Sequence, residues 1–276
     1  MHIAHCHSVR AKKRYGQHFL QAAWADKLVA AIGPAKDDSF LEIGPGPGAL
    51  TLRLAPRVGH LTAVELDAEM VATLRPILPP NVELVHADFL EFDLASAAVT
   101  PPLRVAGNLP YNVSSPILFK LLDVHKTSGG LTDATLMLQR EVADRIAASP
   151  GTSEYGVLSI CVQLHCDVRR LMRLPPGAFR PAPKVHSAVI NLRFRPPAMA
   201  LLDEPVFEAM VRAMFTQRRK TLANALAPYA ASRNASAPHA LAAAGIDPRR
   251  RPQTLQLTEL ARLADYFASV RGGAVL

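Results

Sequence analysis

The sequence has 276 residues, of which 49% are hydrophobic, and carries a formal net charge of +8. This length and apolar content suffice for buried cores in one or two domains, which excludes an intrinsically disordered or fibrous chain. Three scattered cysteines are too few for a disulfide framework or a cysteine-based zinc cluster. No signal peptide and no bilayer-length apolar stretch is evident. We therefore expect a cytoplasmic protein with no membrane partner.

The excess positive charge lies at the two ends of the chain. Residues 1–23 contain four Lys or Arg and no acidic residue, residues 24–195 contain 17 of each sign, and residues 196–276 contain ten basic and six acidic residues. Each cation that neutralises a phosphate releases a counterion, so basic ends suit a polyanionic partner. A basic surface that only keeps the protein soluble fits the composition equally well.

Short apolar runs alternate with helix-period segments over the first two-thirds of the chain, as in a parallel sheet covered on both faces. Two later runs predict an antiparallel hairpin at the sheet edge. We predict strands over residues 40–43, 61–64, 82–86, 103–106, 135–138, 168–174 and 185–194. We predict helices over residues 50–55, 68–74, 116–122, 141–147 and 156–164.

The pattern changes after Pro196 and Pro197. From Val206 onward the sequence predicts helices separated by prolines, and no strand. We expect an α/β sheet domain with an antiparallel edge hairpin, followed by a small all-helical C-terminal domain. The predicted divisions are a basic N-terminal arm over 1–23, the sheet domain over 24–196 and the helical domain over 197–276.

A glycine-rich loop follows the first predicted strand. Gly44, Gly46 and Gly48 stand where the backbone must turn sharply beside a ligand. Their spacing is G-x-G-x-G, not the dinucleotide-binding G-x-G-x-x-G, and Pro45 and Pro47 lack the N–H groups that would face a pyrophosphate. The loop therefore favours a cofactor without phosphates.

Acidic residues follow the next two strands. Glu65 comes about 20 residues after the glycines, where a carboxylate can accept hydrogen bonds from both hydroxyls of a ribose. Asp88 follows the third strand and can accept from an adenine amino group. Because the carboxyl ends of parallel strands meet at one sheet edge, Gly44, Glu65 and Asp88 predict one ligand crevice. Each of the three also has a structural explanation when it is taken singly. Gly44 fits a tight turn, Glu65 a helix N-cap and Asp88 a solvated loop residue.

The most specific motif, Asn108-Leu109-Pro110-Tyr111, follows the fourth strand. The amino group of adenine is a poor nucleophile because its lone pair is delocalised into the ring. A side-chain carbonyl from Asn108 and a backbone carbonyl from Leu109 or Pro110 can accept both of its N–H groups, and Pro110 stiffens the loop. Tyr111 can stack on an extruded base. A turn with Tyr111 packed in the core is the structural alternative.

Six segments occur together in one order. They are G-Q-H-F-L at 16–20, E-I-G-P-G at 42–46, E-L-D at 65–67, N-L-P-Y at 108–111, P-A-P-K-V at 181–185 and Q-R-R-K-T at 217–221. The combination resembles the ribosomal RNA adenine dimethyltransferase family over nearly the whole chain, and within it the bacterial small-subunit (KsgA/RsmA-type) branch.

This resemblance implies a Rossmann-like methyltransferase sheet, S-adenosylmethionine as the methyl donor, and a monomeric enzyme that acts in small-subunit biogenesis. Its acceptors would be two adjacent adenosines in a hairpin loop near the 3′ end of small-subunit (16S) ribosomal RNA, each methylated twice on N6. The substrate would be the RNA within a small subunit or its precursor.

The same resemblance implies roles for individual residues. The donor site would comprise His18, Leu20, Gly44, Glu65, Asp88 and Asn108. Family members often have Asn in place of His18, which leaves open whether His18 contacts the cofactor through its backbone or a ring nitrogen. Phe179 matches an aromatic residue that sandwiches the target base opposite Tyr111. A hydrophobic plug for the proline-rich loop explains Phe179 nearly as well.

Basic residues of the end domain are candidates for contacts with RNA phosphates, or else form a solvated helix face. They are Arg212, Arg218, Arg219, Lys220, Arg249, Arg250 and Arg251. The N-terminal cluster of His2, His5, Cys6 and His7 does not predict a metal site, because four-coordinate sites need ligands held by folded structure.

Four other functions are weighed against this one. A nicotinamide dehydrogenase is disfavoured by the prolines of the glycine loop and by the lack of a hydride-transfer acid. A DNA adenine methyltransferase would carry Pro-Pro-Tyr, whereas this chain has Leu109 before Pro110. A large-subunit ribosomal RNA dimethyltransferase shares the donor site and the loop. A ribosome assembly factor that acts mainly by binding belongs to a different class.

Overall fold

The computed structural model describes residues 11–12, 16–94 and 102–272, the side chains of the last two residues excepted. The chain divides into two compact units. The first consists of the described residues up to Ala143 together with Asp167–Phe194, and the second of Asp144–Cys166 together with the residues from Arg195 onward. Much of the predicted basic arm, residues 1–10 and 13–15, lies outside the described residues.

The secondary structure alternates strands and helices up to residue 194. The first elements are β1 (Phe19–Leu20), α1 (Ala22–Ile32), β2 (Ser39–Ile43), α2 (Thr51–Leu54), β3 (His60–Glu65), α3 (Ala68–Leu74), β4 (Val82–His86), β5 (Leu103–Asn108), α4 (Ser114–Ser128), β6 (Leu131–Gln139) and α5 (Arg140–Ile146). The later elements are α6 (Val157–His165), β7 (Cys166–Leu174), β8 (Phe179–Arg180), β9 (Ser187–Phe194), α7 (Glu204–Thr216), α8 (Leu222–Ser232), α9 (Ala237–Ala243) and α10 (Leu257–Gly272).

The first unit contains a seven-stranded sheet in the order β4-β3-β2-β5-β6-β9-β7. Strands β2 to β6 pair in parallel, and β9 joins β6 antiparallel. Strands β1 and β8 form a separate antiparallel pair. The sheet confirms the predicted α/β, Rossmann-like fold with antiparallel strands at one edge. Parallel strands place their carboxyl ends on one side, where ligands bind in open sheets of this kind.

Local sequence signals account for several boundaries. Helix α3 begins after Asp67, whose side chain accepts a hydrogen bond from the Glu69 backbone N–H at 3.1 Å. Helix α4 ends at Gly129, which has a left-handed φ of 64° and caps the helix. The unpredicted α1 buries Ala25, Leu28, Val29 and Ile32. That spacing is the one expected for an amphipathic helix, so the sequence contained the signal.

The second unit is helical, as predicted for the end of the chain. Its core contains Phe207, Met210 and Leu263 from the C-terminal helices together with Ile160 and Leu164 of α6. Residues 144–166 therefore belong to this unit, whereas the sequence analysis assigned them to the sheet domain. The sheet unit ends at Phe194 and the helical unit resumes at Arg195, whereas the sequence predicted a division after Pro196. None of the described helices has the length and apolar character needed to cross a membrane.

Candidate cofactor and substrate site

A cavity of about 290 Å³ lies at the carboxyl ends of β2, β3, β4 and β5. Residues 16–20 border it as well, and helix α4 contributes Ile117. The cavity brings together nearly all of the predicted site residues. They are His18, Leu20, Gly44, Glu65, Asp88, Asn108, Leu109, Pro110 and Tyr111.

The glycine-rich loop bends sharply at this edge. Gly44 and Gly46 have φ values of 67° and 54°, a region that disfavours residues with a Cβ atom. The Gly46 N–H donates to Oε2 of Glu65 at 2.9 Å. Since Pro45 and Pro47 have no N–H, the loop has few donors left for a phosphate. This geometry agrees with the prediction of a cofactor without phosphates at the loop.

Glu65 is 7% exposed and joins the loop to the end of β3. Its Oε1 accepts from the Asp67 backbone N–H at 2.8 Å, while Oε2 accepts from Gly46. Burial raises the pKa of the Glu65 carboxyl, although these backbone N–H groups act in the opposite direction. Each carboxylate oxygen has a second lone pair, so both can still accept from ligand hydroxyls.

Glu42 is a cavity residue for which the sequence analysis predicted no role. It is 2% exposed, lines the cavity, and its Oε2 is buried with no hydrogen-bond partner. Burial raises the pKa of the Glu42 carboxyl to about 8, and the charge of Glu65 adds to the effect. A carboxyl inside an otherwise apolar strand, directly before the glycine loop, was the available signal.

The Glu42 pKa makes stability depend on pH. In the unfolded chain this carboxyl ionises near pH 4.5, but in the folded protein it stays protonated up to about pH 8. The folded state therefore loses stability as the pH rises across that interval. We expect Glu42→Gln to change the melting temperature little at about pH 4.5 and to raise it by roughly 5 °C at about pH 8.5. Thermal denaturation at both pH values measures this. The same Tm difference at both values would contradict it, and Glu83→Gln at an exposed position is the control.

Asp88 lies in a turn that closes the cavity beyond β4. Its Oδ1 accepts from the Leu90 backbone N–H at 2.8 Å. Lys120 of α4 donates from Nζ to the carbonyls of Leu90 and Phe92 at 2.7 and 2.6 Å, and its ammonium lies 5.3 Å from the centre of the Phe89 ring. Lys120 therefore joins this turn to the helix that follows the Asn108–Tyr111 loop.

The side-chain amide of Asn108 has a fixed orientation. Its Nδ2 donates to the backbone carbonyl of His18 at 2.8 Å. Because that carbonyl accepts only, the amide nitrogen must face it, and Oδ1 remains an acceptor on the other side. The Leu109 N–H donates to the Met137 carbonyl at 3.1 Å and ties the loop to β6.

Tyr111 is half-buried at the cavity wall. Its hydroxyl shares a hydrogen bond of 2.7 Å with Oγ of Ser187 on β9. Its ring stacks on His18, with centroids 5.6 Å apart and planes at 27°. The other contact of the His18 ring runs from Nδ1 to the Pro181 carbonyl, at 2.7 Å. His18 therefore contacts Asn108 through its backbone and Tyr111 through its ring.

The N-terminal segment is held over the cavity by Asp67. Lys12 Nζ lies 2.7 Å from Oδ1 of Asp67 and 2.9 Å from Glu69, and Gln17 Nε2 donates to Oδ2 of Asp67 at 3.0 Å. Burial opposes ionisation of Asp67, but the bonds from Lys12 and Gln17 prevail and lower its pKa. Asp67 belongs to the E-L-D segment quoted from the sequence, but this role was not predicted for it.

Comparison with known proteins identifies the family of the chain. The family model described as ribosomal RNA adenine dimethylase matches residues 8–269. The chain belongs to the ribosomal RNA adenine dimethylase family. A relative from Xanthomonas campestris pv. campestris (strain 8004), named Ribosomal RNA small subunit methyltransferase A, is 44% identical over 262 residues, which are 94% of this chain and 97% of the relative. The dimethylase is therefore a methyltransferase that acts on ribosomal RNA.

Solved structures agree with the fold of the dimethylase. A dimethyladenosine transferase from Plasmodium falciparum has a TM-score of 0.77 at 24% identity, with 92% of this chain and 98% of that chain covered. The 23S rRNA methyltransferase ErmE has a TM-score of 0.67 at 26% identity, with 91% and 99% covered. The first shows the fold alone, and the second is named as a methyltransferase of a different ribosomal RNA, the 23S rRNA.

Phe179 is the predicted site residue that does not line the dimethylase cavity. It is 2% exposed and packs in the core with Leu20, Leu28 and Phe40. This is the position expected for the hydrophobic plug, the alternative that the sequence left open. Stacking on a target base would require the Phe179 ring to leave this core, so that role stays a prediction.

The basic residues of the helical unit differ in whether their side chains already have a partner within the protein. Arg249 pairs with Asp247 at 3.1 Å and Arg250 with Glu259 at 2.5 Å, while Arg218 donates to the Ser153 carbonyl. Arg219, Lys220 and Arg251 are exposed and make no side-chain ion pair or hydrogen bond within the described residues. These three therefore remain the candidates for RNA contacts in this unit.

No cluster of three or more His, Cys, Asp or Glu side chains is placed to hold a metal ion in the part of the dimethylase that the structure describes. His2, His5, Cys6 and His7 lie outside that part.

We expect Lys120→Met to weaken cofactor binding without slowing the chemical step. The substitution removes two charge-assisted hydrogen bonds and leaves two carbonyls without their donor, which costs about 1–2 kcal/mol, or roughly tenfold in the cofactor Kd. Calorimetric titration and the rate at saturating cofactor measure the two effects. Lys126→Met on the same helix is the control, since Lys126 pairs with the exposed Asp123. A fall in kcat with unchanged Kd would contradict the expectation.

Proposed function

We propose that this dimethylase transfers methyl groups from S-adenosylmethionine to N6 of two adjacent adenosines in a hairpin loop near the 3′ end of 16S ribosomal RNA. The substrate is the RNA within a small subunit or its precursor in the cytoplasm, and the enzyme acts as a monomer. The observation that carries the proposal is the single cavity shared by Gly44, Glu65, Asp88 and the Asn108–Tyr111 loop. A relative named for the small subunit is 44% identical, against 26% for the 23S rRNA enzyme, which favours the small subunit.

The residues of the cavity fit S-adenosylmethionine, which carries a positive charge at its sulfonium and another at its amino group. Glu42, Glu65 and Asp88 line the cavity, and no Lys or Arg is among its described lining residues. A cationic amino group beside Glu42 would favour the ionised form of this carboxyl, and the unpartnered Oε2 would accept from it. Glu65 would accept from the ribose hydroxyls, and Asp88 from the adenine amino group. When bound, the cofactor supplies an electrophilic methyl group.

Asn108 orients the adenosine amine. With Nδ2 fixed on the His18 carbonyl, Oδ1 can accept one N–H of the target amine, and the carbonyl of Leu109 or Pro110 can accept the second. These two acceptors favour a more tetrahedral nitrogen with its lone pair directed at the methyl group. The protein thus contributes position and acceptors rather than a nucleophile.

Tyr111 stacks on the base and is not a proton acceptor in this scheme. Burial raises the pKa of its phenol, so the group keeps its proton and holds Ser187. The ring is oriented by that bond and offers an aromatic face to an extruded base. The methylated amine is strongly acidic and loses its proton without a dedicated base.

The decisive experiment uses small subunits from a strain that lacks the modification. Incubation with labelled S-adenosylmethionine, followed by mapping of the modified bases, should give label on two adjacent adenosines near the 3′ end of 16S RNA. Label in 23S RNA would instead support the large-subunit alternative. Binding of small subunits with no label transferred would support an assembly factor.

A further inference from the structure

The described Lys and Arg side chains of the sheet unit differ in whether they contact other groups of the same unit. Each of those described between residues 12 and 126 contacts an acid, a carbonyl or an aromatic ring inside the unit. Arg104, for example, lies 2.7 Å from both Asp38 and Asp133. Because these cations already contact groups of the fold, they are less available to bind a partner molecule.

A second group of cations is exposed and makes no side-chain ion pair or hydrogen bond within the described residues. Four of them lie on or next to strands β6, β9 and β7, and the other two lie on β8 and in the segment that joins β8 to β9. They are Arg140, Arg169, Arg173, Arg180, Lys184 and Arg193.

Residues 24–195 carry no net charge as a whole, but they contain two segments of opposite net charge. Within the sheet unit, residues 24–143 contain nine basic and 14 acidic residues, whereas residues 167–194 contain six basic and one acidic residue. The second segment includes β7, β8 and β9, and β7 is the last strand of the sheet. A polyanion approaching this unit is attracted to the β7 edge and repelled by the remainder.

The alternation of β7 directs two of these cations away from the core. Met172 and Leu174 pack against the core of the unit. Arg169, Leu171 and Arg173 alternate with them and are exposed. Four residues of strand separate the two arginines by about 13 Å, so they would contact different phosphates.

The β7 edge continues directly into the rim of the cavity. After β7 the chain passes through Ala178, whose carbonyl accepts from the Gln21 N–H at 2.9 Å. Arg180 then pairs in register with Phe19, and the Pro181 carbonyl contacts the ring of His18 at 2.7 Å. His18 and Phe19 both line the cavity, so the same polypeptide segment borders the exposed cations and the target base.

We propose that Arg169, Arg173, Arg180 and Lys184 form a phosphate-binding surface for the ribosomal RNA that flanks the target adenosines. The inference rests on the proposed function and deepens it, since it assigns RNA binding to an edge of the sheet unit as well as to the helical unit. The charge, the lack of internal partners and the continuity with the cavity all fit an RNA backbone.

A purely structural use of the same arginines predicts a different result. Charged side chains on an edge strand prevent pairing with the edge of another molecule. On that account, neutral variants would self-associate and would bind RNA normally. RNA affinity and oligomeric state therefore distinguish the two uses.

The test measures binding of the full-length enzyme to undermethylated small ribosomal subunits at KCl concentrations from about 75 to about 250 mM. We expect Arg169→Gln/Arg173→Gln to weaken binding about tenfold and to reduce the slope of log K against log[KCl] by about 1.5, since each lost phosphate contact contributes about 0.7–0.9. Arg169→Lys/Arg173→Lys should stay within about threefold of the wild type. Arg57→Gln/Arg75→Gln, which removes equal charge from the opposite part of the sheet, should change neither quantity.

The outcomes separate this inference from the proposed function. If the wild type methylates 16S RNA while the glutamine variant binds like the Arg57/Arg75 control, the inference is overturned and the proposed function stands. If the glutamine variant shows the expected losses of affinity and salt slope but the wild type labels another RNA, the proposed function fails and the surface stands. If the wild type does not bind small subunits, both fail. An unchanged cofactor Kd verifies that the glutamine variant is folded.

Discussion

Asn108→Ala should reduce kcat by about 10²–10³-fold while changing the Kd of S-adenosylmethionine by no more than about threefold. The variant loses the Oδ1 acceptor that the proposed mechanism directs at the target amine. It also loses the hydrogen bond from Nδ2 to the His18 carbonyl. Removal of an acceptor that acts mainly in the transition state lowers kcat more than it weakens ground-state binding.

Single-turnover methylation of small subunits, together with calorimetric titration of the cofactor, measures the two quantities. Asn108→Asp sharpens the test, because it keeps an acceptor oxygen but has no N–H for the His18 carbonyl. We expect its kcat to be low as well, since the carboxylate is no longer held in the required orientation. An Asn108→Ala enzyme with normal kcat and weakened cofactor binding would remove Asn108 from the acceptor role.

The sequence predicted the sheet, and which residues gather at its carboxyl edge, because both are encoded locally. Helix α3 and strand β4 have the predicted bounds, and the segments after β2, β3, β4 and β5 carry the polar residues that line the cavity. Parallel topology brings strand ends together regardless of their separation in sequence. Local motifs were therefore sufficient to predict which residues meet.

What the sequence did not predict depends on contacts between distant residues. Residues 144–166 pack with helices that begin 38 or more residues later, and a reading in chain order assigns them to the preceding sheet. The bonds of Lys120 to the Asp88 turn and of Lys12 to Asp67 join segments about 30 and 55 residues apart. Glu42 was missed because a carboxyl within an apolar strand does not by itself reveal that its side chain is buried and faces the cavity.

Glu65→Ala should have the complementary effect to Asn108→Ala, with a loss of cofactor affinity of about 100-fold and a kcat at saturating cofactor within about threefold of the wild type. Two contributions combine. The variant removes the acceptors for the ribose hydroxyls, and it leaves the N–H groups of Gly46 and Asp67 without their partner. Loss of hydrogen bonds to a charged group costs about 1.5–3 kcal/mol, which converts to one or two orders of magnitude in Kd.

Glu65→Gln separates the two contributions. The glutamine retains one acceptor oxygen, but its amide N–H₂ must face the backbone N–H of either Gly46 or Asp67. Either the glycine loop or the turn at Asp67 is therefore displaced, even though the side chain has the same size. We expect its cofactor Kd to approach that of Glu65→Ala. Glu83→Gln, on the neighbouring strand and half-exposed, is the control and should bind the cofactor normally. If Glu65→Ala and Asn108→Ala lowered cofactor affinity and kcat in equal proportion, the division of the cavity into a donor part and an acceptor part would be wrong.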